Sequence, residues 1–186
     1  MDAHTALRTR TTTHHFRPDP VPREAVIRAL EAGMAAPNHR RTWPWRFLLL
    51  GRASRSPLAA LAVELKRAPD GTLPGEATVA RIRDKILTPP WCVVVTCTRS
   101  DDAFRQNEDR AAVACAVQNI QLSLHADGIA SKWSTGAVTR RPETYAHLDL
   151  DPDEVEVTAF LWVGLPAESA RKPERPPLAE VLTELP

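Results

Sequence analysis

The chain has few cysteines, few glycines and almost no net charge, and each scarcity argues against a class of protein. Its 186 residues contain three cysteines, Cys92, Cys97 and Cys115. They lack the CxxC or Cys/His spacing of a zinc site, and an odd number does not suit a disulfide framework. We therefore interpret all three as small core residues and predict no metal site.

The seven glycines and the serines form none of the common nucleotide or nucleophile motifs. GxGxxG, GxxxxGKS, GxSxG and HExxH are all absent, and no serine triad can be assembled. The side chains of an acid–base catalyst are therefore not visible in the sequence, and no catalytic residue is predicted. That absence is expected if a cofactor carries the chemistry.

No apolar run is long enough to cross a membrane, and the formal net charge of +1 favours neither nucleic acid nor a membrane as a partner. The N-terminus lacks the apolar core of a signal peptide. These features predict a cytoplasmic protein that binds neither nucleic acid nor membrane.

The most apolar segment is a predicted helix at residues 107–126 that ends at Asp127-Gly128. Its apolar residues occupy most of the circumference, whereas a helix on the surface of a monomer carries a narrower stripe. We expect it to be buried on several sides, partly by a second copy of the chain. The proline-rich tail, residues 165–186, has too little apolar surface to fold alone and is expected to lie along another surface.

Hydrophobic periodicity predicts the other elements. Helices are predicted at residues 1–9, 22–35, 57–67, 76–87 and 142–148, and strands at 47–50, 91–98, 129–135 and 154–164. Residues 68–90 lie between two core strands and are interpreted as a surface excursion or as a lid, whose Arg81, Arg83 or Lys85 would attract anionic substrates. No linker divides the chain, so residues 1–186 are predicted to form one domain.

Two polar segments have alternative interpretations. The run from Arg10 through three threonines to His14 is either a solvated turn or a cradle for a phosphate. In the loop at residues 38–46, His39 and Arg41 are either exposed to solvent or part of a ligand site. Trp45 is assigned to the core.

Several stretches, taken in order, resemble one family: Arg10-Thr11-Thr12; Asp19-Pro20-Val21-Pro22 with the helix ending in Ala35-Ala36-Pro37; Trp43-Pro44-Trp45-Arg46-Phe47; residues 127–136, DGIASKWSTG; and Gly164-Leu165-Pro166. Their order and spacing are similar to the FMN-dependent nitroreductase family, particularly its small short-chain branch, over nearly the whole chain. The resemblance implies an α+β fold with a mostly antiparallel sheet flanked by helices. It also implies an intertwined homodimer with FMN at the subunit interface.

The resemblance also implies site residues. Arg10, Thr11 and Thr12 would hold the phosphate and ribityl chain of FMN, with His14 nearby and Arg175 reaching the phosphate from the tail. Ala35 and His39 would approach the flavin from the other subunit, and the flavin ring would be lined by Trp133, Ser134 and Thr135. The chain departs from the family pattern at Thr11, at His14, where the family has a second base, and at Trp43.

The implied activity is reduction of small electron-poor acceptors (nitro compounds, quinones or activated alkenes) by NADPH or NADH in a ping-pong mechanism. Arg40, Arg41 or Lys132 would contact the nicotinamide nucleotide, although solvent exposure is the simpler role for each. The alternative is a flavin-binding carrier, sensor or scaffold without reductase turnover.

Overall fold

Six α-helices and four β-strands make up the part of the chain that the computed structural model describes, residues 1–169 and 172–185. The helices are α1 (Ala3–Thr9), α2 (Arg23–Met34), α3 (Arg52–Glu64), α4 (Glu76–Leu87), α5 (Ala103–Ala126) and α6 (Pro142–Leu148). The strands are β1 (Trp45–Leu50), β2 (Trp91–Thr98), β3 (Ala130–Ser134) and β4 (Val155–Gly164). Short 3-10 turns cover His39–Arg41, Ala137–Arg140 and Leu178–Glu180.

The four strands form one antiparallel sheet in the order β1-β2-β4-β3. β2 and β4 lie in its centre, so their residues alternate between two covered faces, and Val93, Val94 and Val95 are all fully buried. The predicted α+β class and antiparallel sheet are thereby confirmed.

Helices cover both faces of the sheet. On one face α2 and α5 pack together over Val95 and Leu161, and they approach so closely that a Cβ on Gly33 would lie 2.7 Å from Cγ1 of Ile120. On the other face α3, α4 and α6 cover Val94 and Phe160. No described helix has the length and hydropathy of a membrane span.

Two helices begin several residues before the position predicted from the sequence. α5 begins at Ala103 because the Asp102 side chain caps it, accepting from the N–H groups of Phe104 and Arg105. α3 begins at Arg52 rather than at Pro57, which lies inside the helix. Proline is most favourable in the first turn, but here its lost hydrogen bond is offset by the anchoring of the preceding turn through Arg55.

Arg55 has no exposed surface and forms hydrogen bonds to three segments of the chain. Its guanidinium donates to the carbonyls of Gly51 (3.0 Å), Ile86 (2.7 Å) and Pro90 (3.3 Å). The C-terminal end of α4 is therefore fixed to α3, whereas the preceding loop, residues 68–75, is largely exposed.

The prediction that all three cysteines are core residues was wrong for Cys115. Cys92 and Cys97 are fully buried on β2, but Cys115 is exposed on α5 within one copy of the chain. It lies on the face of α5 that points away from the sheet, as does the exposed Ala111. The predicted burial of Trp45 is confirmed, with 3% of its surface exposed.

Candidate functional site

The end of α1 opens onto a cleft lined by residues that are distant in sequence. Arg10, Thr11 and Thr12 line it from the N-terminal segment and Arg175 lines it from the tail, around a cavity of about 630 Å³. Burial and, to a smaller extent, the nearby Arg175 lower the pKa of Arg10. Across the described residues, neither guanidinium forms an ion pair, although Glu168 lines the same cleft. Two such neighbouring cations favour a dianion between them.

A second cationic cluster adjoins the first and shares His14 with it. The Lys132 ammonium on β3 lies 3.2 Å from Nδ1 of His14, and because an ammonium only donates, that nitrogen accepts. Lys132 is the main cause of a lowered pKa at His14, before burial. Burial and then Lys85 of α4 lower the pKa of Lys132 itself. The cluster therefore stabilises negative charge placed among these three side chains.

The C-terminal end of β3 borders a third, mostly apolar pocket beneath α3 and α4. Ser134, Thr135 and Gly136 line it together with Phe160 and Trp162. The Ser134 hydroxyl accepts a hydrogen bond from Nε1 of Trp162 at 3.0 Å. Lys85 lines both this pocket and the cationic cluster, so the apolar pocket begins where the charged cleft ends.

Trp133 does not face the same way as its neighbours. Along β3, Ser131 is buried and accepts from the Gln121 amide of α5, which places Ser131 and Trp133 on the α5 face. Lys132 and Ser134 lie on the α4 face. The exposed Trp133 ring therefore lies on the face of β3 opposite to Lys132 and Ser134, and it does not line the cleft or the apolar pocket.

Ala35 and His39 lie outside the Arg10 cleft of their own chain. Ala35 follows the end of α2 and is exposed. His39 lies in the loop before β1, where its Nδ1 is 2.9 Å from Glu108 of α5. Their predicted approach to the flavin therefore requires a second copy of the chain.

The sequence did not predict that Lys85 and Lys132 lie close together. Lys85 was assigned to a possible lid and Lys132 to the possible nicotinamide contacts, and the two lysines are 47 positions apart in the sequence. The sequence does show where each lysine lies along the chain: Lys85 is four residues before the Pro89-Pro90 step into β2, and Lys132 is within β3. Among the described residues, no group of His, Cys, Asp and Glu side chains is arranged to hold a metal ion.

An antiparallel sheet with helices on both faces defines an α+β fold. The charge of the cleft at the ends of α1 and β3 suits an anionic ligand. The model of the nitroreductase family matches residues 7–165. The chain belongs to the nitroreductase family.

Individual relatives agree with this assignment. The chain is similar to YfhC of Bacillus subtilis (strain 168), whose name is that of an NAD(P)H nitroreductase, with 28% identity over 183 residues, 96% of this chain and 92% of YfhC. A nitroreductase-like protein from Bacillus cereus has the same fold, with a TM-score of 0.84 and 21% identity over 100% of this chain and 96% of that one. A nitroreductase-type protein from Desulfovibrio desulfuricans in complex with FMN aligns with a TM-score of 0.77 and 27% identity over 100% of this chain and 98% of that one.

Proposed function

We propose that this protein is an FMN-dependent oxidoreductase that takes electrons from NADPH or NADH and reduces small electron-poor acceptors such as nitro compounds, quinones or activated alkenes. The observation that carries the proposal is the pair of neighbouring guanidiniums, Arg10 and Arg175, beside the hydroxyls of Thr11 and Thr12. The name of YfhC supports the nicotinamide donor, and the FMN bound by the Desulfovibrio protein supports the cofactor.

The residues present fit FMN in charge and in hydrogen-bonding groups. Its phosphate is a dianion, which matches Arg10 and Arg175 and the donor hydroxyls between them. His14, Lys132 and Lys85 would face the polar edge of the ring system, and Ser134 and Thr135 would border it. The cation lost from the family pattern at His14 is replaced by Lys132, which lies beside it.

When bound, FMN would supply two-electron redox chemistry between the nicotinamide and the acceptor. The protein contributes binding, orientation and electrostatics. Arg10 and Arg175 would hold the phosphate, and the ammonium groups of Lys132 and Lys85 would stabilise negative charge at the polar edge of the ring. Donor and acceptor use one site in turn, which gives ping-pong kinetics.

The active form is proposed to be a homodimer with FMN at the interface. The exposed face of α5 and the exposed apolar tail residues support it, because both leave apolar surface uncovered in one copy: Leu178, Val181, Leu182 and Leu185. Ala35 and His39 would then contact the flavin held by the other copy. No other protein partner is proposed.

Spectroscopy of the purified protein tests the function. We expect one FMN per chain, loss of the flavin absorbance when NADPH or NADH is added without oxygen, and its return when a quinone is added. Initial rates at varied donor and acceptor should give parallel double-reciprocal lines.

Two results would contradict the proposal. A protein that does not take up FMN is not a flavin enzyme. A protein that holds FMN but is not bleached by either nucleotide is a flavin carrier or sensor instead.

A further inference from the structure

Helix α1, which ends next to Arg10, is held to the rest of the protein by little apolar packing. Of its seven residues, all within the described part of the chain, only Ala6 is buried, and Leu7 is 56% exposed. A helix of this length is not stable by itself in water. The position of Arg10 therefore depends on specific hydrogen bonds around the end of α1 rather than on burial.

The first of these hydrogen bonds joins the end of α1 to the last turn of α5. Oγ1 of Thr9 lies 2.8 Å from Nε2 of His125. The Thr9 hydroxyl gives its single proton to the carbonyl of Thr5, 2.6 Å away, so it accepts from His125. His125 therefore carries a proton on Nε2 and donates it to the residue immediately before Arg10.

A second link lies on the other side of the segment formed by residues 10–12. The N–H of Thr13 donates to the carbonyl of Ser131 at 3.3 Å. The hydroxyl of the same Ser131 accepts from the side-chain amide of Gln121 at 3.2 Å. Thr13, Ser131 and Gln121 are all buried. The residue after Thr12 is thus fixed to β3 and, through β3, to α5.

The two links start from one face of α5. Gln121 and His125 are four residues apart in the sequence, which places them one above the other on a helix. This part of α5 is a firm support, because Ile120 and Leu124 beside them are fully buried in the core. One turn of α5 therefore holds both ends of residues 10–12.

The segment between the two links is available to a ligand. Across the described residues, the backbone of Thr11 and Thr12 forms no hydrogen bond to another backbone group, and both residues line the cationic cleft with Arg10. Arg10 also acts on His125, since burial first and Arg10 second lower the pKa of that ring. A guanidinium beside unpaired backbone N–H groups suits a phosphate.

We propose that His125 and Gln121 are positioning residues for the phosphate-binding segment, residues 10–12. Neither side chain lines the cleft, and each acts through one intermediate residue, so that the segment has its binding geometry before a phosphate arrives. The inference rests on the proposed binding of FMN, whose phosphate is the group that the segment meets.

FMN and riboflavin differ only in the phosphate, and together they separate a positioning role from a structural one. The Kd of each is measured with the apoprotein by quenching of flavin fluorescence. His125→Leu should weaken FMN binding about three- to tenfold, the range that one neutral hydrogen bond gives, and leave the Kd of riboflavin unchanged. His125→Gln, whose amide can donate from about the position of Nε2, should restore FMN binding.

Gln121→Met tests the second link in the same assay. It keeps the length of the side chain but removes the donor to Ser131, so it should weaken FMN binding by a similar factor and leave riboflavin binding unchanged.

His147→Leu is the matched control. Nε2 of His147 donates to the carbonyl of Ser54 at 2.7 Å and joins α6 to α3, away from the cleft. This variant loses a hydrogen bond of the same kind and should change neither Kd. If His125→Leu and Gln121→Met weaken FMN and riboflavin equally, or weaken neither, the positioning role is overturned.

A double-mutant cycle with Arg10→Ala tests whether His125 acts on Arg10. The two substitutions should be non-additive: in the Arg10→Ala background, His125→Leu should change the Kd of FMN by less than about twofold. Additive losses would overturn the proposal. An unsubstituted protein that binds no FMN overturns the proposed function and this inference together, whereas FMN binding that is insensitive to both α5 variants overturns the inference alone.

Discussion

Arg10 is the residue on which cofactor binding should depend most. Arg10→Ala removes one charge-assisted contact to phosphate, worth about 1.5–3 kcal/mol, so FMN affinity should fall by roughly one to two orders of magnitude. Titration of the apoprotein with FMN measures it. Arg8→Ala, an exposed change two residues earlier on α1, is the matched control. If the Arg10→Ala variant keeps stoichiometric FMN on dilution, Arg10 is not part of the FMN site.

His14 is the residue whose titration reports on the cationic cluster. Lys132 first, and burial second, lower its pKa in the folded chain. Between that lowered pKa and the ordinary value of about 6.5, the unfolded chain binds more protons, so stability increases as the pH rises through this window. Lys132→Met should raise the pKa of His14 towards the ordinary value and flatten that dependence. NMR titration of the His14 ring tests this, with Lys66→Met as the control, and an unchanged pKa would contradict the geometry.

At the scale of elements, residues 68–90 divide into an exposed loop and a helix end that hydrogen bonds hold in place. Arg55 and Arg52 hold the C-terminal end of α4 through the carbonyls of Ile86, Pro90 and Leu87. Opening should therefore be confined to residues 68–80, where backbone is exposed and few apolar side chains are buried. We expect fast hydrogen exchange there, slowed by a nicotinamide analogue, and slow exchange at residues 81–87. Uniform exchange across the segment would refute this division.

Arg81 and Arg83 lie on the same helix, α4, and alanine variants of the two form a matched pair for testing its role in substrate binding. Arg81 lines the pocket that contains His14, Lys85 and Lys132, and Arg83 does not. Both arginines border a surface hollow next to Arg52. Arg81→Ala should therefore raise KM for NADPH more than KM for a neutral quinone, and Arg83→Ala should affect neither. Equal effects of the two variants would leave α4 without a role in substrate binding.

At the scale of the whole molecule, the prediction is a dimer that depends on the tail. An obligate interface of this kind buries more than about 2,000 Å², and the chain should sediment as a dimer at micromolar concentration with FMN bound. Truncation after Pro166 should weaken the dimer. A monomer that retains FMN would refute the shared site, and an unchanged dimer after truncation would show that the tail packs on its own chain.

The sequence alone determined which elements form, because their signals are local. Helical spacing identified α2 and α6, apolar runs identified β2 and β4, and Gly128, with φ of 75°, ends α5 as predicted. The family also followed from sequence, since it depends on the order of several short stretches. That the tail, residues 165–186, lies along another surface stays a prediction. Residues 166–169 and 172–185 are exposed in one copy of the chain, and positions 170, 171 and 186 lie outside the described residues.

Tertiary structure decided which of these residues meet and which conformations they keep. Lys85, Lys132 and His14 converge only because α4, β3 and the N-terminal segment end at one edge of the sheet, a juxtaposition that no spacing encodes. Pro57 lies inside α3 because a buried guanidinium secures the turn before it. The left-handed backbone at Arg40 and Arg41 is set by hydrogen bonds and packing around the loop, including a contact to α5, against the local preference of arginine, so only the folded chain reveals it.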